Sequence, residues 1–406
     1  MSERERELQR SYSRREFLKL TGGIGVGGLV LGSPTAWAQE ASKTDSPAWT
    51  PKVQTNIQTA LAVPRTEFSL PGLFPGRVVE IRDPRLQREG KTDHGRIRKD
   101  FHEGILRLTG KKPSEAFKLF FSKNDTVGIK VNPVGAGQIS THTELVDSVI
   151  QWLREGGLSG QQIVIWDRFE PMMKDAGFTA ARFPGVRIEA LQTIDESAAE
   201  GKSNDNSRWL GKDGHHLSED RFDRDIFYWV DVEAPQDLPY LNQHVFNGKE
   251  SYFGKLITKG LTKIINLPAF KNTGNGISMA TKNLGYGSIC NTGRLHKPLF
   301  FHVNTEVLAF PCLRDKVVLN IVDGIKGQYD GGPDAVPKFI YDLNTLFFST
   351  DPFAVDAVCH QSLLEKRLAM GVKVNRHPMF SEYLRYAQRL GLGIGEVSQI
   401  KHVLLG

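Results

Sequence analysis

The stretch that most restricts the fold runs from Thr126 to Asp167. "TVGIKV" is short and apolar, and Asn132-Pro133 ends it. "THTELVDSVIQWLREGG" follows, with Leu145, Val149, Ile150 and Leu153 at helical spacing and Gly156-Gly157 as a stop. Thr141 and Glu144 have the spacing of a capping box. "QQIVIWD" is then a second short buried strand ending at Asp167. Strand, helix and strand at this spacing form a βαβ unit, which pairs its strands in parallel.

The same alternation continues along the chain. "GRVVEIRD" reads as a strand and "PSEAFKLFFS" as a helix. "LTKIINLPAF" is a strand ending near Leu267, and "GISMATKNLG" a helix stopped by Gly285. "DKVVLNIVDGI" is a buried strand ending at Asp323, followed by the Gly-rich "GIKGQYDGGP". "NTLFFSTDPFAVDAVCHQSLLEKRLA" gives a strand and then a helix capped by Ser349 or Thr350, with Pro352 in its first turn. "SEYLRYAQRLGLG" is a last amphipathic helix. The expected fold is α/β: a mainly parallel sheet flanked by helices in Rossmann-like layers, within residues 76–406. Residues 195–255 are polar, contain the strand-like "DIFYWVDV", and read as an insertion with β structure. Residues 39–75 are rich in Pro, Ser and Thr and read as an extended lead-in.

"SRREFLKLTGGIGVGGLVLGSPTAWAQ" at the N-terminus has the twin-arginine pattern, with Arg14 and Arg15 ahead of a weakly apolar, Gly-rich stretch. That stretch is too short and glycine-rich to span a bilayer. "AWA" predicts cleavage after Ala38. The expectation is a signal peptide over residues 1–38, the twin-arginine translocase as a partner, and a folded protein delivered to the periplasm or the exterior. No later segment reaches eighteen apolar residues, so no transmembrane anchor is expected in the mature chain.

The net charge of +6 is mild, and no basic run interleaves with aromatics, which argues against nucleic acid as a partner. A small anionic ligand fits better. Cys290, Cys312 and Cys359 are widely spaced, without C-x-x-C or C-x-x-C-H. No iron–sulfur cluster or c-type haem is expected within this chain, and the cysteines read as packing residues. No nucleotide-binding glycine motif, zinc-protease H-E-x-x-H or hydrolase G-x-S-x-G occurs.

In open α/β sheets, ligands bind beyond the carboxyl ends of the strands. The polar residues there are Lys130, Asn132 and His142, then Asp167 and Arg168, then Lys271, Asn272, Lys282 and Asn283, then Asp323, then Asp351 and Asp356. Each has a plainer role. Asp351 suits a helix cap, His142 a surface position, Asp323 and the glycines after it a turn, and His215-His216 a solvated pair. The loop "NLGYGSICNTGRLH" adds Asn291, Arg294 and His296, which need partners if the loop is covered.

These motifs resemble a family. "VGIKVNP", "STHTELVDSVIQWLREGG" and "IVIWDR" are similar to the first half of the domain-of-unknown-function family numbered 362 (DUF362). "IINLPAFK", "MATKNLGYGSICNTGRLH", "LNIVDGIKGQYDGGP" and "LFFSTDPFAVDAV" are similar to its second half, in the same order. The resemblance covers roughly residues 76–370. It implies an α/β domain with no established general reaction, sometimes beside a ferredoxin-type module that this chain lacks. Members often carry a histidine soon after the lysine equivalent to Lys271, where this chain has Asn272-Thr273-Gly274. The matching positions are Lys130, Asn132, Asp167, Lys271, Lys282, Asn283, Arg294, His296, Asp323, Gly331, Gly332, Asp351 and Asp356.

Two readings of function stand. One is a periplasmic enzyme, cofactor- or metal-assisted, with redox chemistry as one option, in which cations hold a small anion and His296 and Asp323 are the catalytic candidates. Arg294 and His296 would then face the Asp323 loop across one pocket. The other is a non-catalytic accessory of a redox partner protein, which predicts an exposed apolar patch in the insertion.

Overall fold

The computed structural model describes residues 51–88, 90–197, 207–235, 244–296 and 299–406. The leader with Arg14 and Arg15, its cleavage site and the start of the lead-in lie outside the described residues. The strands in chain order are β1 (Arg77–Arg82), β2 (Gln87–Arg88), β3 (Lys91–Thr92), β4 (Val127–Val131), β5 (Ile163–Phe169), β6 (Arg187–Gln192) and β7 (Phe222–Trp229). Then come β8 (Glu250–Gly254), β9 (Lys263–Leu267), β10 (Ala269–Thr273), β11 (Gly276–Ile277), β12 (Val317–Gln328), β13 (Ile340–Ser349) and β14 (Lys401–Leu405).

The main sheet has the order β14-β1-β13-β12-β9-β4-β5-β6, with β10 added to the far part of β12 and β11 to β10. From β6 to β12 every neighbour along this path is parallel. β13 runs antiparallel between β12 and β1, and β14 lies parallel to β1. The expected mainly parallel α/β sheet is present. "VGIKV" in β4 is buried at all five positions, as a strand covered on both faces must be.

The winding locates the site. From β4 the chain moves outward to β5 and β6, then returns to place β9 and β12 on the other side of β4. The helix Thr143–Glu155, between β4 and β5, packs Leu145, Val146 and Val149 with Ile129, Ile163, Ile165 and Leu267 on one face. The helices Ala280–Gly285 and His302–Leu308, between β9 and β12, pack Leu284, Val303 and Val307 with Val164, Trp166 and Ile264 on the other face. Each such fully buried aliphatic side chain contributes about 1.5–3 kcal/mol. Covering helices that diverge to opposite faces put the topological switch point, the crevice where open α/β sheets bind ligands, at the carboxyl ends of β4 and β9.

Several local expectations are corrected. Thr141 and Glu144 do not form a capping box: the Thr141 hydroxyl donates to the carbonyl of Leu267, and Glu144 accepts from Thr92 at 2.7 Å. β12 does not end at Asp323 but bulges after Gly324 and runs to Gln328, because β13 continues beside it. "GISMATKNLG" is helical only from Ala280, since Gly276 and Ile277 pair with β10. Of the residues expected to cap the helix Pro352–Ala369, Asp351 does so, accepting from Phe353 and Ala354 at 3.0 Å each, and Ser349 and Thr350 do not. The sequence reading left residues 84–112 unassigned. They hold the helix His94–Thr109, whose Ile97, Phe101, Ile105 and Leu108 face the core.

The insertion carries the hairpin β7–β8. In the lead-in, the single-turn helix Ile57–Leu61 buries Ile57 and Ala60. Thr55 bridges to Val230 beyond β7, which ties this part of the lead-in to the insertion.

Candidate anion-binding site

Register builds the floor of the site. Lys130 on β4 pairs with Trp166 on β5 and with Asn266 on β9, and Asn266 pairs with Asn320 on β12. Pairing at one level puts these side chains on one face, because alternation along each strand has period two. The result is a polar row across an otherwise apolar sheet. Asn320 donates to the carbonyl of Thr350 at 3.3 Å and accepts from Asn266 at 2.9 Å. Asn266 accepts from Asn283 at 2.8 Å. The Asn283 oxygen accepts from Lys130 at 2.9 Å and from Asn132 at 3.2 Å.

Lys130 also donates to the carboxylate of Asp167 and, at 2.8 Å, to the carbonyl of Val131. It retains 1% of its surface. Burial lowers its pKa and Asp167 opposes that shift. Lys271, on β10, is fully buried and donates to Asn132 at 2.8 Å, to the carbonyl of Ile139 at 3.2 Å and to that of Val134. Burial, with Lys282 next in weight, pushes Lys271 down to about 7. Its three oxygen acceptors match the three donors of an ammonium and favour the charged form. Both lysines are committed to the scaffold, and Lys271 holds the Gly-rich turn after β4 in place.

Lys282 differs. It lies on the helix Ala280–Gly285, is half-buried, and its nitrogen sits 4.9 Å from the centre of the Tyr286 ring. Burial pushes it down to about 8, and Asp334 alone opposes this, at a distance. Arg168, at the end of β5, is buried, and donates through Nε to Gln192 at 2.7 Å and through one terminal nitrogen to Thr292. Its carboxylate neighbour Asp167 belongs to Lys130, and burial brings Arg168 down to about 10. His296 lies within electrostatic reach of both Lys282 and Arg168. These groups give the switch-point crevice an excess of positive charge. Gly287 closes its floor: a Cβ there would stand 2.5 Å from Lys130 Cε and 2.3 Å from the carbonyl oxygen of Asn283.

The structure thus brings together Lys130, Asn132, Asp167, Lys271, Lys282 and Asn283, with His296 beside them. It does not bring in Arg294 or Asp323 as expected. Arg294 donates to the carbonyls of Val230, Val232 and Lys249 and to Ser251 Oγ at 2.6–3.3 Å, which fastens the β7–β8 hairpin. Asn291, with φ of 53°, accepts from Val245 at 3.0 Å and from Phe246 at 3.2 Å at the same hairpin. The loop "NLGYGSICNTGRLH" therefore has two jobs: Lys282 to Gly287 border the crevice, and Ser288 to Arg294 hold the insertion. His296 is held towards its neutral form. Burial, with Lys282 and Arg168 nearby, brings it down to about 3, and its Nδ1 donates to the carbonyl of Thr292 at 3.0 Å.

Asp323 pairs instead with His142. Both carboxylate oxygens lie 3.0 Å from His142 Nδ1, and Oδ2 accepts from the His142 amide at 2.6 Å. His142 is not a free surface residue. Gly331 and Gly332 fold the turn after β12 onto β10: Gly332 donates to Asn272 at 2.9 Å, and a Cβ there would meet the Asn272 carbonyl oxygen at 2.1 Å. That geometry is packing and leaves the Gly332 amide no room for an anion. Asp351 is a cap that also accepts from Gly76 at 3.1 Å and Ile394 at 2.8 Å. Asp356 accepts from Ala280 at 2.8 Å and Thr281 at 3.0 Å, so it caps and orients the helix that carries Lys282 and Asn283.

Of the His215-His216 pair, His215 is exposed and His216 is buried, brought down to about 4 by burial. The three cysteines are free and buried. Two open depressions lie away from this chemistry, one along Asp147, Gln151 and Arg154, the other between Glu189, Arg221 and Lys255. Sequence reasoning missed Asn266 and Asn320. The signal was a lone asparagine within each of two apolar runs, "KIINL" and "VVLNIV".

Among the described residues, no three His, Cys, Asp or Glu side chains come together to hold a metal, and no helix is long and apolar enough to cross a membrane. The donor set of the crevice, ammonium and guanidinium groups with amides, suits an anion. Residues 230–361 match the family model described as "Domain of unknown function (DUF362)". The match takes in Lys271, Lys282, Asn283 and the loop to His296, and leaves Lys130, Asn132, Asp167 and Arg168 outside it. No curated protein matches the chain.

Proposed function

We propose that the switch-point crevice, partly within the segment that matches the DUF362 model, holds a small anionic ligand, on which the protein acts as an exported enzyme. The supporting observation is the pairing pattern of the cations. Lys130 has Asp167, whereas the carboxylates that act on Lys271, Lys282 and Arg168 do so only at a distance. Positive groups in a partly desolvated crevice are stabilised by a bound negative charge, and the low local dielectric makes that attraction larger than in water. Lys282 is the ligand-facing cation, since Lys130 and Lys271 have spent their protons on protein oxygens.

Calorimetric titration with inorganic phosphate, sulfate and a short dicarboxylate tests this. At least one should bind, with affinity falling as salt rises, and Lys282→Gln should weaken it about tenfold or more, the worth of one charge-assisted hydrogen bond. If none of them binds the wild-type protein at millimolar concentration, the reading fails. The accessory alternative called for an apolar patch in the insertion. Among the described residues, the exposed large hydrophobics are Val63, Leu368, Met370, Val397 and Leu404, all outside it. Export is tested separately: replacing Arg14 and Arg15 by lysine should leave the precursor in the cytoplasm.

A further inference from the structure

Asp323, on β12, and His142, at the ends of β4 and β9, form an imidazole–carboxylate pair that the anion site, as described, does not use. Three constraints fix the pair. The Asp323 carboxylate retains 1% of its surface and also accepts from the Ile325 amide at 3.1 Å, where β12 bulges. It holds the His142 backbone at 2.6 Å and the ring at 3.0 Å, so neither the main chain nor the imidazole is free to turn away. Thr141, just before His142, donates to the carbonyl of Leu267 at the end of β9 and accepts from the Asn132 amide at 2.8 Å. His142 therefore stands at the ends of β4 and β9, at the head of the helix Thr143–Glu155, on the opposite face of the sheet from the helix bearing Lys282.

The chemistry of the contact sets the tautomer. An ionised carboxylate only accepts, so Nδ1 carries the hydrogen in both the neutral and the charged ring. Nε2 is left over. It has no protein partner among the described residues and is not sealed from solvent, and the side chain as a whole keeps 14% exposure. A ring oriented through Nδ1 by a buried carboxylate, with Nε2 open, is the arrangement that general acid/base catalysis requires.

We propose that His142 and Asp323 form an acid/base dyad at the rim of the crevice, exchanging a proton between His142 Nε2 and an oxygen or nitrogen of the bound anion. In the acid direction the Nε2–H bond breaks, the ligand atom gains the proton, and the ring becomes neutral. Asp323 remains a carboxylate throughout and stabilises the imidazolium. The groups facing the ring are Asp323, Glu144 and Lys326. Burial and Lys326 disfavour the charged ring, the two carboxylates favour it, and the balance raises the pKa above the ordinary histidine value. The dyad is thus protonated to higher pH than a free histidine, the state in which it donates. The assignment depends on the anion reading only for the identity of the ligand.

The test uses the full mature chain with 15N-labelled histidine. NMR titration should show His142 with Nδ1–H in its neutral form and a midpoint above 6.5, the ordinary value. Diethyl pyrocarbonate should acylate His142 at Nε2, alongside the exposed His215 as an internal control. Asp323→Asn should lower the midpoint by about one pH unit, the effect of removing an opposite charge in contact. A neutral His142 with its hydrogen on Nε2, a midpoint at or below 6.5, or an unreactive Nε2 while His215 reacts would each overturn the dyad. If Asp323→Asn fails to fold, the wild-type titration and acylation still decide. Both readouts are taken without added anion, so failure of anion binding and failure of the dyad are distinguishable.

Discussion

Replacing Lys130 by methionine tests whether the polar floor of the crevice is held by charge. Lys130→Met keeps the length and most of the volume of the side chain. It removes the donors to Asp167, Asn283 and the Val131 carbonyl. Asn283 keeps its bond from Asn132 at 3.2 Å, but Asp167, with 8% side-chain exposure, is left a buried carboxylate without its partner. Breaking one side of a buried ion pair costs about 3–5 kcal/mol, because the remaining charge has lost its compensation. Arg168 lies within electrostatic reach of Asp167, which places the expectation near the lower end, about 3 kcal/mol. At about 1–2 °C per kcal/mol for a chain of this length, Tm should fall by about 3–6 °C. Urea unfolding should show a lower midpoint at unchanged m. The double variant Lys130→Met, Asp167→Leu removes both charges and should recover at least about 1 kcal/mol of the loss. A single variant within about 1 kcal/mol of wild type, or a double variant worse than the single, would refute the argument that a desolvated charge pair organises this floor.

Gly287→Ala should destabilise by about 1–3 kcal/mol in the same urea assay, since its methyl group would overlap the Asn283 carbonyl and the Lys130 stem. Asp356→Ala should cost about 1–2 kcal/mol as a lost cap, and should weaken anion binding along with it, because the helix that presents Lys282 loses its anchor. Asp100 is buried, its Oδ2 has no hydrogen-bond partner, and burial with Asp83 nearby raises it to about 6. A raised acid pKa means that the folded state binds the proton more tightly than the unfolded state. Stability from this group is therefore full at low pH and is lost as pH rises from about 4 through 6. Asp100→Asn should flatten that slope and leave the protein about 1–3 kcal/mol more stable at pH 8 by denaturant titration. Cys290 and Cys312, both pushed up to about 12 by burial, should stay unreactive to a thiol reagent until the chain is unfolded.

The parallel core was legible because its strands are apolar on both faces and its helices are amphipathic, and both patterns are local. The corrections share a different cause. Thr141 and Glu144 have capping-box spacing, yet each found a partner far away in sequence: Leu267 for one, Thr92 for the other. Arg294 fits an anion ligand as a residue type, but three main-chain carbonyls at the hairpin are within its reach, and only the fold shows that. The placement of Lys130, Asp167, Lys282 and Asn283 at strand ends followed from the βαβ pattern. What each lysine does there did not, because it depends on counting acceptors around the nitrogen. Asn266 and Asn320 went unnoticed because one polar residue in an apolar strand gains meaning only when register sets it beside another.

The asparagine row has a further consequence. An amide side chain turned end for end changes almost nothing in shape, so three in series could settle in either of two internally consistent directions. The ends remove the choice. Lys130 has only protons to give, and the Thr350 carbonyl has only lone pairs. Asn283, Asn266 and Asn320 must therefore all point the same way, like compass needles between fixed poles, and reversing any one sets oxygen against oxygen or hydrogen against hydrogen at its neighbours. The polarity of the floor is written into the protein before a ligand arrives. The Asn283 oxygen stays on Lys130 and Asn132, and in the proposed reading Lys282 is the cation left to answer an incoming charge.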